Sequence, residues 1–134
     1  MSERPEWMSE LRWNEQGLIP VIAQDWRDKT ILMVAWMNAE ALQLTVESGN
    51  VVYYSRSRQA LWRKGESSGN EQKLHALKLD CDNDVLLAEV EQRGGVACHT
   101  GRRSCFYKTL TTEQQWQENQ PVLKDPDEMY GKKS

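Results

Sequence analysis

Short apolar runs separated by polar turns are the feature of this chain that most constrains its fold. Six such runs, each of five to eight residues, lie at positions 18–24, 30–37, 51–55, 74–79, 85–91 and 104–110. Runs of this length, bounded by Asp, Asn and Gly, are typical of β-strands, and short breaks favour hairpins. The sequence therefore predicts a compact, strand-rich α+β domain with mostly antiparallel pairing. Within it, the almost wholly apolar run 30–37 is predicted as a central strand.

One helix is predicted between two capping residues. Asn38 is a good N-terminal cap, and Gly49 suits the left-handed position that ends a helix. The intervening segment is long enough for about three turns. Its inward face is expected to carry Ala41, Leu42, Thr45 and Val46.

The length of 134 residues suits one domain with one modest core. We expect residues 1–17 to form a loosely structured N-terminal arm with a short helix around 6–13. Residues 18–110 are predicted to form the main domain, and residues 111–134 a polar, peripheral tail. The polar and cationic segment 56–70 is predicted to be a loop.

Composition and charge narrow the class of protein. Hydrophobic residues make up 39% and charged residues 28%, which is typical of a soluble globular domain. A net charge of -3 argues against a general nucleic-acid binder. No apolar run approaches the roughly 20 residues that cross a membrane, and the polar start is unlike a secretory signal. We therefore expect a cytoplasmic protein with reduced thiols that binds neither nucleic acid nor membrane.

Three carboxylates alternate in the predicted turn at residues 80–84. In an extended backbone Asp80, Asp82 and Asp84 would share one face, with Cys81 on the other. Grouped carboxylates repel one another unless a cation or a proton relieves them, and oxygen ligands suit Mg²⁺ or Ca²⁺. An ordinary solvated turn is the alternative. An EF-hand loop is excluded, because Val85 stands where that loop needs Gly and no helix precedes it.

The chain has three cysteines, an odd number that argues against a disulfide framework in a reducing compartment. Cys98 and Cys105 lie close in sequence, and His99 follows Cys98. A catalytic zinc has three protein ligands and an open position for water, which three cysteines, the third being Cys81, would supply. Buried inert thiols or a nucleophilic thiol remain alternatives. His99 is a candidate fourth ligand, a base beside the metal water, or a surface histidine.

A cationic stretch precedes a group of hydroxyls and glycines. Four cations occur within residues 56–64, and the sequence Ser-Ser-Gly follows at 67–69. Arginine forks and Gly-rich backbone suit a phosphate group, although the stretch is not a Walker motif. An ordinary charged surface loop is the alternative. The candidate substrate-binding residues are Arg56, Arg58, Trp62, Lys64, Ser67, Ser68 and Gly69, with Trp62 suited to stacking on a base.

Four segments together resemble one enzyme family. The segments VVYYSRSR (51–58), LWRKGESSGN (61–70), DCDND (80–84) and CHTGRRSCFY (98–107) resemble signature segments of phosphoribosyl-AMP cyclohydrolase, in the family's order. The resemblance spans about residues 18–107. It implies a hydrolase of histidine biosynthesis that opens the N1–C6 bond of the adenine ring of phosphoribosyl-AMP. It also implies the single-function form, because the chain ends too soon for the second, pyrophosphohydrolase domain of many relatives.

The resemblance further implies cofactors and an assembly. It implies an intertwined homodimer with zinc at the interface, Cys81 coming from one chain and Cys98 and Cys105 from the other. It places Mg²⁺ at Asp80, Asp82 and Asp84, and it makes His99 a catalytic residue near the zinc water. The segment 18–110 would be the cyclohydrolase catalytic domain.

Three other functions are alternatives to this interpretation, and each makes a different prediction. A structural zinc module would need a closed four-ligand site and would have no catalytic activity. A zinc deaminase would carry H-x-E and a later P-C-x-x-C, and neither pattern is present. A phosphate-binding protein with inert thiols would hold no zinc.

Overall fold

The computed structural model describes residues 5–129. Eight strands and two α-helices follow one another within these residues, with a 3₁₀ turn at Glu6–Glu10 before them and another at Arg93–Gly95. The elements are β1 (Ile19–Asp25), β2 (Ile31–Met37), α1 (Ala39–Ser48), β3 (Val52–Ser55), β4 (Ala60–Arg63), β5 (Gln72–Leu79), β6 (Leu86–Gln92), β7 (Lys108–Leu110), β8 (Trp116–Glu118) and α2 (Pro126–Met129).

The main sheet has four strands in the order β2-β1-β6-β5. The β1–β2 and β5–β6 pairs are antiparallel hairpins, and the two hairpins join through the parallel pair β1–β6. Two-stranded antiparallel ribbons, β3–β4 and β7–β8, complete the strand pairing. The predicted strand-rich α+β domain with mostly antiparallel pairing is therefore confirmed.

The prediction that 30–37 is a central strand is wrong. β2 lies at the edge of the sheet, and β1 and β6 occupy the centre. The two central strands alternate fully buried and half-buried residues along their length. On β2, Ile31 and Val34 remain exposed, so its apolar character does not reflect burial on both faces within one chain.

The helix α1 begins and ends at the predicted caps. The Asn38 side chain accepts a hydrogen bond from the Ala41 N–H at 2.8 Å, and Gly49 adopts a left-handed φ of 80°. Ala41, Leu42 and Thr45 are buried as predicted. The prediction for Val46 is wrong, since it is 43% exposed. The Thr45 hydroxyl accepts from the Val52 N–H at 2.9 Å, which turns that side of the helix towards β3 and leaves Val46 outside.

Two further segments differ from the sequence-based expectation. The predicted loop 56–70 contains β4, which pairs with β3 through a tight turn where Gln59 has a φ of 51°. The predicted strand 104–110 shortens to β7. The Ser104 hydroxyl and the Cys105 N–H donate instead to carbonyl groups of β2, without forming a strand ladder. The N-terminal arm contributes two residues, Met8 and Leu11, to the core. None of the helices within residues 5–129 is long and apolar enough to cross a membrane.

A buried hydrogen-bond network connects β3 to β5 and β6 of the main sheet. The hydroxyl of Tyr53, on β3, donates to Gln72 Oε1 at 2.6 Å, and Gln72 Nε2 donates to Gln92 Oε1 at 2.8 Å. Both Tyr53 and Gln72 are fully buried. Burial, together with the nearby Cys105 thiol, raises the pKa of Tyr53 above its usual range, so its hydroxyl keeps its proton and remains a donor.

We expect Tyr53→Phe to lower the free energy of unfolding by about 1–3 kcal/mol, because Gln72 Oε1 would be buried without a donor. Tyr54→Phe is the matched control on the half-exposed neighbour, with an expected change below about 0.5 kcal/mol. Denaturant unfolding of the two variants measures the difference. Equal stability of both variants would contradict a stabilising role for the hydrogen bond between Tyr53 and Gln72.

Candidate functional site

A cavity of about 420 Å³ opens between three parts of the chain. One wall comes from β2, with Met33, Val34 and Ala35. A second wall comes from β4 and the turn that follows it, and the third from the segment that carries the cysteines. The remaining lining residues are Arg58, Trp62, Arg63, Lys64, Gly65, Glu66, Ser67, Ser68, Ala97, His99 and Cys105. The cavity therefore combines cations and hydroxyls with a thiol and an imidazole.

Two thiols meet beside this cavity. Cys98 is buried, and its sulfur lies 3.0 Å from the Thr100 hydroxyl. Cys105 is exposed, and its thiol is close enough to Cys98 for the two groups to interact electrostatically. Desolvation of the thiol and the neighbouring Cys98 raise the pKa of Cys105 to about 12. Two sulfur donors this close suit a shared soft cation, which would favour the thiolate form of both.

A buried lysine faces the two thiols. Lys64 is 7% exposed, and its ammonium donates to the Ala97 carbonyl at 2.6 Å. Burial lowers the pKa of Lys64, and the Cys105 and Cys98 thiols oppose that change. The sequence predicted Lys64 as a phosphate contact in a solvated loop. Because Lys64 is buried near the two thiols, its positive charge also favours their deprotonated, negatively charged form.

The segment 98–105 is held to the sheet by residues that sequence reasoning left without a role. The Arg103 guanidinium contacts the carboxylates of Asp25 at 3.2 Å and Asp28 at 3.0 Å. The Ser104 hydroxyl donates to the Ile31 carbonyl at 2.7 Å, and the Cys105 N–H donates to the Leu32 carbonyl at 2.7 Å. The segment is therefore fixed against the end of β2. The sequence signal that could have indicated this role is the adjacent pair of cations, Arg102 and Arg103, between the two cysteines.

The three aspartates converge at the turn between β5 and β6. One carboxylate oxygen from each of Asp80, Asp82 and Asp84 lies within 4.8 Å of the others. The backbone is a turn rather than the extended segment assumed from the alternation, with Asn83 at a φ of 65°. Desolvation and the nearby Asp80 and Asp82 raise the pKa of Asp84. Hard oxygen donors under mutual repulsion fit a divalent cation such as Mg²⁺.

Cys81 is exposed and lies in the aspartate turn. Within residues 5–129 of one chain, the aspartates are the only set of three potential ligands that come together. Of the three predicted zinc ligands, Cys98 and Cys105 lie near each other in one copy, and Cys81 lies apart from them in the aspartate turn. Donation of Cys81 by a second copy remains a prediction.

The candidate substrate residues divide into two groups. Arg58, Trp62, Lys64, Ser67 and Ser68 line the cavity. The indole of Trp62 packs against the buried ring of Tyr53, with ring centroids 5.2 Å apart.

Two candidates lie outside the lining. Arg56 stacks on Trp36, with its guanidinium carbon 4.6 Å from the ring centroid, and borders a second depression of about 410 Å³. Gly69 closes the turn after Lys64 by donating its N–H to the Gly65 carbonyl at 2.8 Å. Sequence reasoning missed the β2 residues of the cavity wall, because their apolar run indicated only a strand.

Comparison with known proteins places this site in a family. The family model described as phosphoribosyl-AMP cyclohydrolase matches residues 33–107, more than half of the chain. A curated phosphoribosyl-AMP cyclohydrolase of Marinobacter nauticus is 59% identical over 128 residues, covering 96% of this chain and 92% of the relative. The proteins of that name from Thioalkalivibrio sulfidiphilus and Nitrosomonas europaea are 58% and 57% identical. The two alignments cover 97% and 95% of this chain, respectively, and 98% of each relative. The matched segment contains the cavity, the thiol pair and the aspartate turn, and the chain belongs to the phosphoribosyl-AMP cyclohydrolase family.

Proposed function

We propose that this chain hydrolyses phosphoribosyl-AMP in histidine biosynthesis, opening the N1–C6 bond of the adenine ring, and that it does so in the cytoplasm. The observation that carries the proposal is the cavity itself, which joins His99 and Cys105 to Arg58, Ser67 and Ser68. Its volume of about 420 Å³ lies within the usual range for small-molecule sites, roughly 300–1,000 Å³. Family membership supports the substrate class.

Zinc is the cofactor that the thiol pair fits best. Cys98 and Cys105 would hold it from one copy and Cys81 from a second copy, so that the active enzyme is a homodimer. A bound zinc ion lowers the pKa of water from about 15.7 to about 7 and so supplies a nucleophile at neutral pH. Lys64 supports this ligand set, because its buried ammonium compensates the negative charge of clustered thiolates.

The substrate carries a ribose phosphate on ring N1, which makes C6 electrophilic. Water adds to C6, the N1–C6 bond breaks, C6 becomes a carboxamide carbon, and N1 gains a proton. The exocyclic amino group stays on C6, so no ammonia leaves.

His99 is the residue that we propose transfers the proton. It is exposed at the cavity wall and follows Cys98 directly. An imidazole can both accept and donate a proton, so His99 would accept one from the attacking water and deliver one to N1.

The remaining cavity residues would bind the two phosphate groups and the purine. Arg58 and the hydroxyls of Ser67 and Ser68 offer donors to one phosphate. Mg²⁺ at Asp80, Asp82 and Asp84, with Arg56, would serve the other phosphate. The three aspartates and Arg56 lie outside the cavity of their own chain, so in a homodimer a second copy would bring its own to this cavity. Trp62 offers an aromatic face for the purine ring.

A magnesium site at the aspartate turn has a pH-dependent signature. A raised pKa means that folding holds the Asp84 proton more tightly than the unfolded chain does. This contribution to stability is present at low pH and is lost as the pH rises through the folded-state pKa. At pH 7 the ionised carboxylates repel, and a bound cation offsets that repulsion.

We therefore expect Mg²⁺ to raise the melting temperature of the wild-type protein at pH 7 but not that of Asp82→Asn. Without Mg²⁺, Asp82→Asn should melt above wild type, and the difference should vanish near about pH 3, where carboxyl groups are protonated. Asp80 is unsuitable for this test, because its Oδ1 accepts hydrogen bonds from the N–H groups of Asp84 and Val85. Glu15→Gln carries the same charge change at an exposed site. An equal Mg²⁺ response of wild type and Asp82→Asn would exclude cation binding at this turn.

The reaction is tested by incubating the full chain, supplied with Zn²⁺ and Mg²⁺, with phosphoribosyl-AMP or with AMP. We expect ring opening of phosphoribosyl-AMP without ammonia, and no turnover of AMP, whose N1 is not alkylated. Release of ammonia would indicate a deaminase. Bound zinc without turnover of either compound would favour the structural zinc module.

A further inference from the structure

After β8 the chain returns across the segment that carries Cys98 and Cys105. Residues 118–124, here called the strap, contact this segment at two consecutive residues, Gly101 and Arg102. The sequence indicated only a polar, peripheral tail in this region. The contacts show instead that the strap lies on the loop between the two cysteines.

The first contact is made by the Arg102 side chain. Its Nε donates to the Gln120 carbonyl at 3.0 Å, and its Nη2 lies 3.0 Å from Glu118 Oε1. The guanidinium also stacks on Tyr107, with its carbon 4.0 Å from the ring centroid. The backbone of the same residue reaches a cysteine, because the Arg102 carbonyl accepts from the Cys98 N–H at 3.1 Å. Arg102 therefore links the strap directly to a thiol-bearing residue.

The second contact is a close approach of two backbones. The Gly101 carbonyl accepts from the N–H groups of Leu123 at 2.8 Å and Lys124 at 3.2 Å. Gly101 has a φ of 89°, and a Cβ placed on it would collide with the Lys124 carbonyl oxygen. The Gly101 N–H in turn donates to the Cys98 carbonyl at 3.0 Å. A glycine is required here for the strap to lie this close.

The strap also reaches the turn that follows β4. The Lys124 ammonium lies 3.4 Å from Oδ1 of Asn70, which is 3% exposed. The Asn70 N–H donates to the Ser68 hydroxyl at 3.2 Å. The strap thus contacts residues next to both polar walls of the cavity, in the cysteine segment and at the end of the serine turn.

We propose that the strap is a positioning element that holds the loop between Cys98 and Cys105, with Arg102 as its principal positioning residue. It fixes the separation of the two sulfur atoms before a metal binds. The proposal rests on the proposed zinc site for its consequence, retention of zinc, but the rigidity it assigns to the loop is independent of zinc. Groups that orient metal ligands typically change metal affinity by about 10–100-fold when they are removed.

The test uses the full chain, two pairs of variants and one conservative substitution. Arg102→Ala removes the links to Glu118 and Gln120, and Arg27→Ala is its control, since Arg27 also stacks on an aromatic ring, that of Trp26, away from the cavity. Gly101→Ala displaces the strap, and Gly17→Ala has a comparable left-handed φ of 75° with nothing within 4 Å of the added Cβ. Arg102→Lys keeps the charge but loses the planar fork.

We expect Arg102→Ala and Gly101→Ala to release zinc to a chromophoric chelator about 10–100-fold faster than wild type. Both controls should release it within about twofold of wild type, and Arg102→Lys should lie between. Amide hydrogen exchange of the zinc-free proteins should speed up in residues 98–105 of the two strap variants and stay unchanged in α1.

Unchanged exchange in residues 98–105 would overturn the proposal, whether or not zinc binds. Faster exchange with an unchanged rate of zinc release would also overturn it, because the loop would then not position the ligands. Failure of the wild-type protein to bind zinc would remove the proposed zinc site, and the exchange measurement would still decide whether the strap holds the loop.

Discussion

Cys98→Ser is expected to bind no zinc and to lose at least about 10³-fold in turnover. The magnitude follows from the several kcal/mol that a catalytic metal contributes to transition-state stabilisation, with about 1.36 kcal/mol for each tenfold change in rate. Cys98 is buried next to Cys105 and Lys64, so no solvent donor can replace its sulfur without rearrangement. Metal analysis and initial rates on the purified variant measure both effects.

The control for Cys98→Ser is Thr100→Val. It removes the hydroxyl that lies 3.0 Å from the Cys98 sulfur but keeps the sulfur itself. We expect Thr100→Val to retain zinc and most of the activity. A Cys98→Ser protein with full zinc occupancy would contradict the thiolate site, as would full occupancy in Cys105→Ser.

His99→Ala is expected to keep its zinc and to lose about 10²–10⁴-fold in kcat, the usual contribution of a positioned general acid or base. The retained zinc separates this outcome from that of Cys98→Ser. The effect should fall on kcat rather than on KM, because proton transfer occurs after substrate binding.

His75→Ala is the matched control, since the chain has two histidines. His75 stacks on Trp26 with ring centroids 4.1 Å apart and contacts Glu91, away from the cavity. We expect wild-type turnover from His75→Ala. Wild-type turnover from His99→Ala would remove that residue from the mechanism, and loss of zinc would make it a ligand instead.

Local sequence signals predicted the elements well. Apolar runs between polar breaks marked the strands of the main sheet, and the Asn38 and Gly49 caps marked the limits of α1. These features depend on a few neighbouring residues, whose side chains determine local backbone geometry and burial. The order of the strands depends on distant pairing, which is why the edge position of β2 and the parallel pairing of β1 with β6 were not predicted.

The site was predictable by residue type and only partly by arrangement. The alternating positions of Asp80, Asp82 and Asp84 predicted that their side chains come together. They do converge, although through a turn rather than an extended segment. The burial of Lys64 was missed, because a lysine in a cationic stretch normally remains solvated. The adjacent pair Arg102-Arg103 is visible in the sequence, but no local pattern indicates that Arg103 contacts Asp25 and Asp28 or that Arg102 contacts the strap.

If zinc held by thiolates makes this chain a phosphoribosyl-AMP cyclohydrolase, zinc and activity must be lost and regained together. The most direct test measures zinc in the purified full chain together with ring-opening activity, before chelation, after it, and after zinc is restored with Mg²⁺ present throughout. We predict about one zinc per chain, activity that disappears with the zinc, and activity that returns when zinc is added back. Full activity in protein stripped of zinc, or zinc-loaded protein that leaves phosphoribosyl-AMP unchanged, would contradict zinc-dependent hydrolysis by this chain.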